Sequence, residues 1–217
     1  MTVRVKICGL TSEKDLEAVC RLGADAVGFV VGVPESPRNL PLEAAKRLIR
    51  RVPVFVKSVL VTVPKNQESL LDLYEELMPD IIQIHGPVPW MSDLIEKIPD
   101  VILVRCVDIK SEKSVPEALK AAELFDAILA DSPSSPEKHG GTGVTHDWNL
   151  SRHIRDAIYP KALILAGGLS VYNVSEATVT VKPYAVDVST GVESKPGVKD
   201  PVKVDAFIKK AKQYICD

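Results

Sequence analysis

The sequence predicts an α/β protein with a single domain, residues 1–217, folded as a (β/α)8 TIM barrel. Three observations lead there. Eight apolar strand-like runs recur along the chain, near Val3–Cys8, Asp25–Val30, Val54–Thr62, Asp80–His85, Val101–Val107, Asp126–Asp131, Lys161–Ala166 and Tyr184–Ser189. Each gap between them has room for one helix and two short loops, which is the crossover that a parallel strand connection needs. No linker or composition shift interrupts the series. Eight strand–helix units in one chain favour a closed barrel over an open doubly wound sheet. At 217 residues the barrel is lean, near the lower end of a range of roughly 200 to over 400.

The helical segments follow in order. Leu16, Val19 and Cys20 form a short apolar stripe after Thr11 and Ser12, a plausible capping pair. Leu42, Ala45 and Ile49 follow Pro41, which suits a first helical turn. Leu70, Leu73, Tyr74 and Leu77 fall at i, i+3, i+4 and i+7, one face of a helix. Val204, Phe207, Ile208, Ala211 and Ile215 repeat that spacing near the C-terminus. The longest connection, 132–145, is rich in Ser, Pro and Gly and reads as a surface loop or a substrate-facing lid.

Composition narrows the function. The chain is 46% hydrophobic and 26% charged, ordinary for a globular protein. A net charge of −2 gives no broad basic surface, which argues against nucleic acid as a partner. The four cysteines Cys8, Cys20, Cys106 and Cys216 have no CxxC spacing, so neither a metal centre nor a redox pair is expected. The N-terminus does not read as a secretory signal and no apolar run is long enough to span a bilayer, so a cytoplasmic protein with reduced thiols and no membrane partner is expected.

Alternation along strands decides what faces the barrel interior. Val3, Val5 and Ile7 should meet the outer helices, which turns Lys6 and Cys8 inward. By the same argument Ala127, Leu129 and Asp131 point in from the sixth strand, and Asp187 and Ser189 from the eighth. Gln83 and His85 share a face. A thiol and a carboxylate thus meet at the end of the barrel where this fold carries its active sites. Closure sets the eighth strand beside the first, so a buried Lys6–Asp187 pair is expected. Lys6 is a candidate for raising the thiolate fraction of Cys8, though Asp187 opposes it. Cys20, Cys106 and Cys216 read as small buried hydrophobes. Gly167-Gly168 and Ser189-Thr190-Gly191 follow the seventh and eighth strands, where this fold often binds phosphate. Position alone yields a barrel enzyme with an unassigned site.

Together these stretches resemble the phosphoribosylanthranilate isomerase family of tryptophan biosynthesis. The matching segments are KICGLT at 6–11, GADAVGFV at 23–30, SPR at 36–38, QIHG at 83–86, AILADS at 127–132, GGTG at 140–143 with Asp147-Trp148, LAGGL at 165–169 and AVDVSTGVE at 185–193. The resemblance implies an Amadori rearrangement of a phosphorylated aminoaldose to a ketose, with no cofactor. It implies Cys8 as general base and Asp131 as general acid. It places Arg38 at the anthranilate carboxylate, Asp187 near the anthranilate part, and Gly141, Gly168, Ser189 and Gly191 in phosphate-facing loops. Monomer and homodimer both remain open. Three positions depart from the family pattern: His146 replaces a common phenylalanine, Pro87 follows QIHG in place of an acidic residue, and Thr190 replaces a common serine.

Two other readings compete. The related aminoaldose isomerase of histidine biosynthesis resembles a duplicated half-barrel with two phosphate sites and an aspartate in its first strand, where this chain has Cys8. A non-catalytic barrel binding a phosphorylated metabolite is the other, and the presence of both Cys8 and Asp131 argues against it.

Overall fold

A computed structural model describes residues 2–98, 100–133 and 145–213. Eight strands form the barrel: β1 Arg4–Ile7, β2 Ala26–Val31, β3 Lys57–Thr62, β4 Ile81–Ile84, β5 Ile102–Asp108, β6 Ala127–Asp131, β7 Ala162–Leu165 and β8 Ala185–Val188. Every neighbouring pair is parallel, and β1 pairs with both β8 and β2, which closes the ring. The helices are α1 Glu13–Arg21, α2 Leu42–Ile49, α3 Gln67–Leu77, α4 Met91–Ile95, α5 Ser114–Leu124, α6 Trp148–Ala157, α7 Val174–Val181 and α8 Pro201–Lys212. A short strand, Asn39–Leu40, pairs with the end of β2, and Glu193–Lys195 pairs antiparallel with Val198–Lys199 after β8.

Alternation is obeyed as expected. Val3, Val5, Ile7, Ile128, Ala130, Val186 and Val188 join the main core between strands and helices. Inside the ring, Cys8 packs with Val30, Val59 and Val61, while Val104, Cys106, Leu129 and Ala166 pack as a second group. Ser12 caps α1, its hydroxyl accepting from Asp15 N at 3.2 Å. Asn66 and Ser69 form a reciprocal capping box at the start of α3. These caps satisfy backbone donors that a helix leaves unpaired.

One expectation is corrected. The apolar run at Val54 does not begin the third strand, which starts at Lys57. Val54 and Phe55 are 92% and 98% exposed. They stand out from the α2–β3 connection because Pro53 and the turn at 53–56, closed by Val56 N to Pro53 O at 2.9 Å, delay the start of the ladder. The lid expected over 132–145 falls mostly on residues 134–144, outside the described residues. The same holds for Cys216 and Ile215.

A repeated device fastens the N-terminal end of the barrel. Asp25, Asp80 and Asp126 each stand immediately before a strand. Their carboxylates accept from Val5 N at 2.8 Å, Ser58 N at 2.8 Å and Leu103 N at 2.9 Å on the preceding strand of the ring. Each supplies an acceptor to a strand-end N–H that has no ladder partner. Asp80 also accepts from the Ser58 hydroxyl at 2.7 Å and from Lys57 Nζ at 2.8 Å. In this fold the N-terminal end serves stability rather than chemistry. Asp80→Ala is therefore expected to lower unfolding free energy by about 1–3 kcal/mol, measured by urea denaturation, with kcat/KM unchanged.

Candidate active site

The strand ends converge on a cavity of about 310 Å³ lined by Cys8, Arg38, Asp131, Gly168, Asp187, Ser189 and Gly191, among others. Seven of the eight residues singled out from sequence thus meet in one chamber. The eighth, Gly141, lies outside the described residues.

Cys8 and Asp131 reach this chamber from β1 and β6, separated around the ring by β7 and β8. Cys8 is buried, and its Sγ lies against Gly28 on β2. A Cβ at Gly28 would come within 2.8 Å of that sulfur and 3.2 Å of its Cα, so only glycine leaves the thiol its place. Asp131 Oδ1 accepts from the N–H of Ser132 at 2.8 Å. Between the two groups sits an ion pair, Lys6 Nζ to Asp187 Oδ1 at 3.0 Å, with both side chains over nine-tenths buried. Its register is direct, since Lys6 is paired with Asp187 across the β1–β8 closure.

Burial dominates the electrostatics. It pushes Asp131 up to about 7, with the Asp187 charge adding to the rise and the Ser132 N–H opposing it. It pushes the Cys8 thiol above its ordinary 9.0. Lys6 and Lys199 pull that value down and Asp187 pushes it further up. Lys6, the candidate for raising the thiolate fraction of Cys8, does pull the value down and Asp187 does oppose it, but desolvation outweighs the cation. Lys6 itself is lowered by burial but raised more by Asp187 and Cys8, so its ammonium persists. Asp131 therefore loses its proton before Cys8 does. The form with a protonated acid and an ionised base is the less populated of the two singly protonated arrangements of the pair.

Two turns line another wall. The turn after β7 holds Gly167 and Gly168. Asn173 secures it by donating from Nδ2 to Gly168 O at 3.0 Å and accepting from Ser170 N at 2.8 Å. The turn after β8 touches it so closely that a Cβ on Gly191 would lie 2.0 Å from Leu169 O. The two glycine turns are one surface.

Arg38 arrives from the other side, carried by the short strand Asn39–Leu40 at the end of β2. Its Nε and Nη2 donate to Glu193 Oε1 and Oε2 at 2.8 and 2.6 Å, and Nη2 donates also to Thr190 Oγ1 at 3.1 Å. Glu193 takes a further bond from Lys199 Nζ at 2.8 Å. Glu193 and Lys199 escaped the sequence reading. They lie in the hairpin beyond β8, and only the folded chain shows them bonded to Arg38.

His146 also gains a definite place. One ring nitrogen, Nδ1, lies 3.2 Å from Ser132 Oγ and the other, Nε2, 2.6 Å from Ser151 Oγ on α6. Burial drives its pKa down to about 4, so the ring is neutral. In place of the phenylalanine that the resemblance implies, this chain ties the turn after Asp131 to α6 through a hydrogen-bonded imidazole. Gln83 Nε2 and His85 Nε2 lie 2.8 Å apart on the chamber wall. Among the described residues no group of His, Cys, Asp and Glu is arranged to hold a metal ion, and no helix is long and apolar enough to cross a membrane.

A closed parallel barrel whose mouth holds a thiol, a protonatable carboxyl and paired glycine turns defines the class: a (β/α)8-barrel enzyme of the acid–base type. Residues 5–210 match the family described as N-(5'phosphoribosyl)anthranilate (PRA) isomerase. The chain is 42% identical to the N-(5'-phosphoribosyl)anthranilate isomerase of Halobacterium salinarum over 216 residues, covering 96% of this chain and 95% of that one. A crystal structure of a phosphoribosylanthranilate isomerase in complex with reduced 1-(o-carboxyphenylamino)-1-deoxyribulose 5-phosphate aligns with a TM-score of 0.83 at 37% identity, over 98% of this chain and 100% of that one. Monomers generated from the dimeric enzyme of Thermotoga maritima align with a TM-score of 0.82 at 36% identity, with the same coverage. The chain belongs to the phosphoribosylanthranilate isomerase family.

Proposed function

We propose that the chamber carries out the family's reaction with Cys8 as general base and Asp131 as general acid. The reaction converts N-(5'-phosphoribosyl)anthranilate to 1-(o-carboxyphenylamino)-1-deoxyribulose 5-phosphate by an Amadori rearrangement. The observation that carries the assignment is Asp131 itself, a carboxyl held near 7 by burial, which keeps a usable proton at neutral pH.

Asp131 gives its proton to the furanose ring oxygen. The C1'–O bond breaks, and the anthranilate nitrogen lone pair forms the iminium. That iminium acidifies the C2' hydrogen, which the Cys8 thiolate removes while the electron pair moves toward nitrogen. The enolamine then passes its C2' hydroxyl proton to C1' by tautomerisation and becomes the ketone. Protons and electrons balance within the substrate and the two side chains. The substrate phosphate fits the joined turns at Gly168, Ser189 and Gly191, and Arg38 receives the ring carboxylate, with Asp187 near the anthranilate part. Gly141 is assigned to the phosphate side on the resemblance alone. The thiol's high pKa is tolerable because only the transient iminium has to be deprotonated.

Generating the substrate in situ and following loss of its fluorescence tests this. Wild type is expected to be active, and Cys8→Ser and Asp131→Asn each to lose about 10²–10⁴-fold in kcat, the range for a missing acid or base. An inert wild type, or full activity in both variants, contradicts the assignment.

We infer also that the protein forms a homodimer through the N-terminal end of the barrel. The exposed Val54 and Phe55 stand beside a 450 Å³ cavity lined by Phe55, Val59, Ile81, Ile102, Val104 and Tyr184, among others. An exposed apolar projection beside an apolar hollow suits a self-complementary two-fold contact, and the Thermotoga maritima relative is dimeric. Sedimentation should find a dimer for wild type and a monomer for Phe55→Asp. A monomeric wild type at micromolar concentration rules this contact out.

A further inference from the structure

A guanidinium that binds a substrate carboxylate needs net positive charge around it, yet Arg38 is already taken up by Glu193. The two-point contact at 2.8 and 2.6 Å fixes the guanidinium plane and cancels its charge. Nη1 makes no described hydrogen bond and is the nitrogen left for a ligand. Arg38 is packed as well as bonded. Gly9, at φ 76°, leaves room where a Cβ would strike Arg38 Cδ at 2.4 Å. Geometry is therefore settled by Gly9, Thr190 and Glu193, while charge is not.

Lys199 changes the sum. Its side chain is 1% exposed and its Nζ donates to Glu193 Oε1 at 2.8 Å and to Ser189 O at 3.2 Å. Burial lowers the Lys199 pKa and the Glu193 carboxylate opposes that fall; with the ammonium kept, Arg38 and Lys199 carry two positive charges against one negative on Glu193, so the cluster is left with one. Glu193 stays ionised: burial raises its pKa, but Arg38 and Lys199 outweigh that and the net shift is down. The other buried charges nearby have partners of their own. Lys6 is matched by Asp187. Asp15 directs Oδ2 to the Lys199 backbone N–H at 2.9 Å in the first turn of α1, where the helix dipole favours a carboxylate.

Taking Arg38 as the carboxylate ligand proposed above, we propose that Lys199 is a positioning residue of the anthranilate subsite. Buried out of reach of substrate, it restores the positive charge that Glu193 removes from Arg38. Glu193 gives Arg38 its orientation and Lys199 keeps that orientation from neutralising the site. Lys199 Nζ, by donating to Ser189 O and Oγ at 3.2 and 3.4 Å, also ties this charge cluster to the end of β8, where the phosphate-facing turn begins.

The test compares two reduced product analogues by calorimetry: 1-(o-carboxyphenylamino)-1-deoxyribitol-type 5-phosphate and its counterpart lacking the ring carboxylate. In wild type the carboxylated analogue binds more tightly. Lys199→Met is expected to shrink that preference about tenfold, roughly 1.4 kcal/mol, any loss through the phosphate being common to both analogues, with circular dichroism reporting folding. The double variant Lys199→Met/Glu193→Gln returns the charge sum to one and should regain most of the preference. A merely structural lysine would not be rescued by a second substitution. An unchanged preference in Lys199→Met, or no recovery in the double variant, overturns the proposal. Arg38→Ala separates the two levels. If it keeps the preference, the assignment of Arg38 to the carboxylate fails. If it loses the preference while Lys199→Met keeps it, only the role of Lys199 fails.

Discussion

One buried ion pair, Lys6 with Asp187, stands close to both Cys8 and Asp131 and, by balancing its own charges, leaves desolvation to set their protonation. Its 3.0 Å contact bridges the closure of the barrel. Each member acts on both Cys8 and Asp131: Lys6 favours their charged forms and Asp187 disfavours them. Because the pair is close to neutral, neither cation nor anion decides the outcome, and desolvation does. The result is a carboxyl that holds its proton near neutrality and a thiol that resists ionising. An acid benefits directly from such a setting. In the proposed reaction the base acts on a C–H bond that the preceding ring opening has already weakened, so a small thiolate population suffices.

Around that pair lie the glycine turns and a buried charge cluster. The joined glycine turns after β7 and β8 offer backbone to the chamber. Arg38, Glu193 and Lys199 form a bonded cation cluster against the turn after β8, with Arg38 donating to Thr190 and Lys199 to Ser189. His146 contributes at one remove, since it anchors Ser132, whose N–H holds Asp131.

The fold was legible because its signals are local and periodic. Alternation in Val3–Cys8 placed Lys6 and Cys8 inward, and the helical spacing of Leu70 to Leu77 located α3 within a few residues. The Val54 run is ambiguous because apolar character alone does not distinguish a strand from an exposed projection after Pro53. At the site, the strand ends gave the candidates and the resemblance gave their roles. The Lys6–Asp187 contact followed from closure. Glu193 and Lys199 did not, because a buried charge is recognised by its partner, and Arg38 lies 155 residues from Glu193 in the chain. The sign of the Cys8 shift was also out of reach, since it depends on how completely the barrel mouth excludes water around the sulfur.

The central claim is that burial, not pairing, keeps Asp131 protonated at working pH. Carbon-13 NMR titration of the Asp131 side-chain carboxyl, assigned by comparison with Asp131→Asn, reads this directly. The structure predicts a midpoint of about 7. A midpoint near the ordinary aspartate value of about 3.9 would mean that the chamber is wet or that Lys6 governs Asp131, and the account of its acid would be wrong.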